Sequence, residues 1–113
     1  GEQNTTANLK KDNSFRKEVD EKIVELDMNT LKVNEEITMS FHIKNAIPEP
    51  YLGALGHVVI IDQKVEQFLH VHPESKSDTV FKTHFERPGK YKLWAEFKFG
   101  DEVSVFPYVI EVE

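Results

Sequence analysis

The stretch EITMSFHIKN (Glu36–Asn45) alternates without a break: Ile37, Met39, Phe41 and Ile43 share one parity, Thr38, Ser40, His42 and Lys44 the other. Side chains of a strand repeat every two residues, so this pattern sets one apolar face on a core and turns His42 to solvent. Working outward, EKIVELDM (21–28), GHVVIID (56–62), VEQFLHVHPE (65–74), TVFKTHFE (79–86), KYKLWAEFKF (90–99) and EVSVFPYVIEVE (102–113) are short runs rich in β-branched and aromatic residues. No segment keeps a helical period for long. About seven strands in roughly 100 residues predict an all-β, antiparallel, immunoglobulin-like or cupredoxin-like β-sandwich.

Within the runs, Phe81, Thr83 and Phe85 fall on one face, as do Tyr91, Leu93, Ala95, Phe97 and Phe99. GHVVIID is apolar at both parities, which suits a strand covered on both sides. Pro107 marks an edge position or a bulge, because proline cannot donate to a ladder. RPGKYKL sets Gly89 two residues before Tyr91 at the start of a strand, the pattern of a tyrosine corner, so Tyr91 reads as structural. The long connection NAIPEPYLGALG (45–56) is where the chain crosses between sheets.

The chain has 113 residues, enough for one self-sustaining core, and eight phenylalanines, three tyrosines and one tryptophan to fill it. The polar N-terminus, residues 1–14, reads as a disordered tether, with a single domain over residues 15–113. The absence of cysteine excludes a disulfide framework, a thiolate metal site and a cysteine nucleophile. A net charge of −6 and interspersed lysines argue against nucleic acid as a partner. No phosphate loop, GxSxG elbow or HExxH motif is present, so no enzymatic activity is expected.

The five histidines carry most of the remaining chemistry. A tight turn at Gln63 and Lys64 would pair Val59 with Phe68 and His57 with His70, with Cβ atoms about 4.5–5.5 Å apart. His72 would project from the same face, about 6.5–7 Å further along. Three imidazoles gathered in this way suit copper or zinc, with Glu74 or Met39 available as a fourth ligand. A structural reading is open beside it: a one-residue slip would separate the pair, and strand-end histidines also serve by packing and hydrogen bonding to loop carbonyls. His42 and His84 are expected to stand outside the cluster. Trp94, opposite Leu93 in parity, reads as partial core or as a stacking platform for a sugar or peptide.

Gly56-His57, His70-x-His72-Pro73, Phe81 to Phe85 and Pro88-Gly89-x-Tyr91 together resemble the secreted or lipid-anchored bacterial domains grouped as YtkA-like, over about residues 30–112. The resemblance implies an extracytoplasmic sandwich associated with copper or heavy-metal handling, tethered to a membrane if Gly1 follows a lipidated cysteine. The lack of a Cys and a nearby axial Met makes electron transfer a poor expectation. Two functions are therefore expected: binding of a copper or zinc ion through His57, His70 and His72, or a metal-free protein-interaction module of the cell envelope, accessory to a transporter or another protein.

Overall fold

The computed structural model describes residues 10–64, 68–69 and 71–113. In chain order the strands are β1 (Arg16–Val19), β2 (Lys22–Met28), β3 (Glu36–Ile43), β4 (His57–Asp62), β5 (Phe68–Leu69), β6 (His72–Pro73), β7 (Val80–His84), β8 (Gly89–Phe99) and β9 (Glu102–Val112). They form two antiparallel sheets, one of five strands in the order β1-β2-β3-β7-β6 and one of four in the order β5-β4-β8-β9. The protein is an all-β sandwich, as the alternation in β3 predicts.

The alternating runs supply the core. Ile37, Met39 and Phe41 of β3 and Phe81 and Thr83 of β7 are buried on the inner face of the five-stranded sheet. They meet Tyr91, Leu93, Ala95, Phe97 and Phe99 of β8 and Phe106, Tyr108 and Ile110 of β9. The Phe41 ring stands edge-on to Phe81 and Phe97, with centroids 5.8 and 5.6 Å away, so aromatic packing joins the layers. The Tyr108 hydroxyl donates to the Val24 carbonyl at 3.0 Å, a buried polar tie between β9 and β2.

The chain changes sheet three times. It crosses between β3 and β4 through the long proline- and glycine-containing connection, returns between Leu69 and His72, and crosses again between β7 and β8. At the last crossing the Tyr91 hydroxyl donates to the Arg87 carbonyl at 2.7 Å, which is the tyrosine corner read from RPGKY. Pro107 lies on β9, an edge strand, where a missing N–H is tolerated.

Two boundaries differ from the sequence reading. Val109 donates its N–H to the Asp12 carboxylate at 2.9 Å, and the Asp12 N–H donates to the Val109 carbonyl at 3.1 Å. The folded unit thus reaches to at least Asp12, ahead of Phe15, because the edge of β9 offers unpaired backbone groups there. β1, whose RKEV sequence carries little apolar signal, pairs with β2 through a turn in which Asp20 and Glu21 both have positive φ, 52° and 69°. That pair of left-handed residues is the geometry of a primed hairpin turn.

Candidate functional site

The hairpin that was to assemble the histidines has a different register. Ile61 pairs with Phe68 and Ile60 with Leu69, two residues away from the expected pairing of Val59 with Phe68. Gln63 and Lys64 do lie in a turn, but the ladder pairs beyond it are two residues out of the expected register. The β4–β8 ladder runs on to Asp62 opposite Tyr91, and the Gln63 N–H donates to the Lys90 carbonyl at 3.0 Å. A shift of two leaves every side chain on its own face, so alternation could not tell the registers apart.

His57 sits opposite Glu96 on the outer face of the four-stranded sheet, half-buried. Its Nε2 and the Tyr51 carbonyl oxygen are 2.7 Å apart, with the ring nitrogen as donor. The Tyr51 ring stands edge-on to the imidazole at 5.4 Å. Gly56 brings β4 this close to β8: a Cβ there would lie 2.5 Å from Phe97 Cε1 and 3.1 Å from the Glu96 carbonyl.

His72 belongs to the other sheet. It pairs with Lys82 of β7, whose neighbours Phe81 and Thr83 point inward, so His72 and Lys82 face outward. His84 follows Lys82 on the same outer face and pairs with Glu36 of β3. His72, His84, Glu36 and Lys82 line one open depression of about 400 Å³. The Lys82 ammonium lies 3.7 Å from the Glu36 carboxylate and 3.5 Å from that of Glu74. The structure therefore brings His84 beside His72, where the sequence reading had set it apart, and puts His57 on the opposite layer. His70 lies outside the described residues. Met39 is fully buried in the core, on the inner face, so its thioether is turned away from every outer-face histidine. Among the described residues, no group of three or more His, Asp and Glu is arranged to hold a metal ion. His42 is exposed opposite Glu25, whose carboxyl is held below its ordinary pKa by hydrogen bonds from Arg16 and then Lys44.

The outer face of the four-stranded sheet is the larger surprise. Val59, Trp94 and Pro107 line up across β4, β8 and β9; Ile61, Lys92 and Val109 form the next row, and Phe68 flanks Ile61. Phe68 is 70% exposed, and Val59, Val103 and Val105 are each 37% exposed. The Lys92 ammonium sits 5.2 Å from the Trp94 ring centroid, over the surface a stacked sugar would need. The signal was present in the sequence: β9 is apolar at Val103, Val105, Pro107 and Val109 as well as at Phe106, Tyr108, Ile110 and Val112. A strand buried on one face has no need of the first set.

A family model described as a domain of unknown function, DUF8832, matches residues 17–113. The chain belongs to the DUF8832 family. The matched segment begins within β1 and takes in every later strand, so the DUF8832 unit and the sandwich are the same object. No curated protein and no solved structure matches the chain.

Proposed function

We propose that this DUF8832 chain is a non-catalytic binding module of the cell envelope that docks onto another protein through the outer face of its four-stranded sheet. The observation that carries the reading is the apolar surface centred on Trp94, with Phe68, Val59, Val103 and Val105 exposed on an antiparallel sheet that already has a core on its other side. Antiparallel sheets commonly present a polar outer face, and contiguous exposed apolar surface marks interaction sites. The partner's chemistry follows from the charges among these residues. Lys90, Lys92 and Lys98 on β8 are matched by Glu96 on β8, Glu111 on β9 and Glu49, which bridges opposite Lys98. An apolar protein surface whose rim carries both signs of charge complements this face. The extracytoplasmic location belongs to this proposal and rests on the resemblance to YtkA-like domains.

A photo-crosslinking residue at Val105, in cells that make the full protein, is expected to give one defined adduct that is lost when Trp94→Lys is added. The same probe at His42, on the opposite sheet, gives none. Equal labelling from both positions, or an adduct with a second copy of the chain, would remove the proposal.

A second reading, binding of a copper or zinc ion, is favoured by one feature: His72 and His84 line the same depression as Glu36. In this form the ion takes His72 and His84 together with His70, which precedes His72 by two residues in sequence, and His57, anchored to Tyr51 on the other layer, is not a ligand. Lys82 between the two carboxylates opposes a cation there, which ranks this reading second.

A further inference from the structure

The connection between β3 and β4 carries a feature the folded domain does not explain. Tyr51 and Ala54 close a two-residue turn through reciprocal backbone bonds, Tyr51 N–H to the Ala54 carbonyl at 2.7 Å and Ala54 N–H to the Tyr51 carbonyl at 3.3 Å. The two residues at its tip, Leu52 and Gly53, have φ of 55° and 91°. Such a turn favours Asn, Asp or Gly at its first central position, because a β-carbon in the left-handed region crowds the backbone. Leucine also gains nothing there from burial, since Leu52 is 78% exposed. A leucine held in a disfavoured backbone region and unused by the core marks this turn as the place to look for contact outside the chain.

The tip is built to hold still. The Tyr51 carbonyl accepts from His57 Nε2, the Tyr51 ring packs on the imidazole, and Gly56 lets the strand carrying His57 seat against Phe97. His57 thus ties the turn to the outer face of the four-stranded sheet, in the row next to Val59 and Trp94. Further back along the connection, Ile47 is 85% exposed.

We infer that the Tyr51–Ala54 turn is a recognition finger, pinned by His57, that inserts the Leu52 side chain into an apolar pocket of the protein docked on the adjoining sheet face. The inference rests on the proposed docking function and names its anchor residue. A protein pocket is the fitting occupant, and a lipid surface is not: the chain carries a net charge of −6, Glu49 is close to the tip in sequence, and Asp78 shares a depression with Ile47. Anionic lipid headgroups would repel these groups. Holding the finger rigid in the free protein reduces the ordering cost of inserting one leucine.

The test uses Leu52→Asn in the full protein, because asparagine accepts the left-handed backbone and removes the apolar tip. The variant is expected to melt roughly 2–5 °C higher than the parent, since strain is relieved, while losing at least about tenfold in the adduct formed by a photo-crosslinker at Val105. A crosslinker placed at position 52 itself should capture the same protein as the one at Val105. A fall in melting temperature would show that Leu52 serves the fold and would overturn the inference. Higher stability with an undiminished Val105 adduct would overturn the finger and leave the sheet-face reading standing. An adduct from position 52 alone would overturn both, because the finger is defined as entering the protein docked on the sheet face. No adduct from either position would overturn both.

Discussion

His72 stands directly opposite Lys82 on the outer face of the five-stranded sheet. That single pairing puts His72 on the opposite layer from His57 and makes His84 its neighbour in place of a β4 residue. Among the described residues β4 and β5 pair Ile60 with Leu69 and Ile61 with Phe68, while His72 already pairs in the other sheet.

The finger's support is open to direct measurement. A methyl group at Gly56 would lie 2.5 and 2.7 Å from ring carbons of Phe97, itself fully buried and unable to swing aside. Gly56→Ala is therefore expected to destabilise the domain by about 1–3 kcal/mol, read by urea or thermal unfolding. A neutral result would mean that β4 and β8 can separate locally without loss.

The tyrosine corner has a defined worth. Tyr91→Phe keeps the ring against Phe85, at 4.5 Å between centroids, and removes only the hydroxyl bond to the Arg87 carbonyl. A loss of about 1–1.5 kcal/mol is expected, with a melting point lower by about 4–8 °C. An unchanged melting point would show that the crossing between sheets does not depend on the corner.

Alkaline pH should unfold the protein through its tyrosines. Burial raises the Tyr108 phenol far above its ordinary 10.0, with Asp12 and Glu25 adding to the effect. Burial raises Tyr91 as well, then the negative charge of Asp62 opposite it. Both pKa values are higher folded than unfolded, so their contribution is complete below about pH 10 and declines as pH rises beyond it. Phenolate absorbance from these residues is expected to appear together with loss of β-sheet circular dichroism. Full ionisation with the sheet intact would contradict the burial of Tyr108.

Substitutions on the outer face should separate stability from association. Val105→Lys and Phe68→Ser alter exposed side chains and are expected to change stability by no more than about 0.5 kcal/mol. Either change should lower capture of the docked protein at least about tenfold. A large loss of stability would mean that the face contributes to folding itself.

Metal titration distinguishes the second reading. If copper or zinc binds, calorimetry should find the loss of affinity concentrated in His70→Ala, His72→Ala and His84→Ala, with His42→Ala and His57→Ala close to the parent. A loss centred on His57 would restore the original cluster and count against the finger. Equal binding by all five variants would end the histidine site.

Much of the fold was legible because the signal is local. Ile37, Met39 and Phe41 announce their face by parity alone, and all three are buried. Tyr91 announced its corner through Pro88 and Gly89. β1 was harder to see, since RKEV is paired by its backbone and by the Arg16–Glu25 contact at 2.7 Å, with little apolar periodicity to reveal it. The finger was hidden for another reason: Leu52 reads as an ordinary apolar residue until its φ and exposure are known together.

Residue order alone determined the inward and outward sides of the long strands and the all-β class, because a two-residue repeat needs only neighbours along the chain. It also carried the second apolar parity of β9, from which an exposed face follows once a core covers the first. The register between β4 and β5, and the return to the other sheet before His72, were decided by tertiary closure. A shift of two residues preserves every face, so only the β4–β8 ladder running to Asp62 and the pairing of β6 with β7 could choose among the alternatives. His57 and His72 were placed on separate layers by those long-range pairings, which no local pattern encodes.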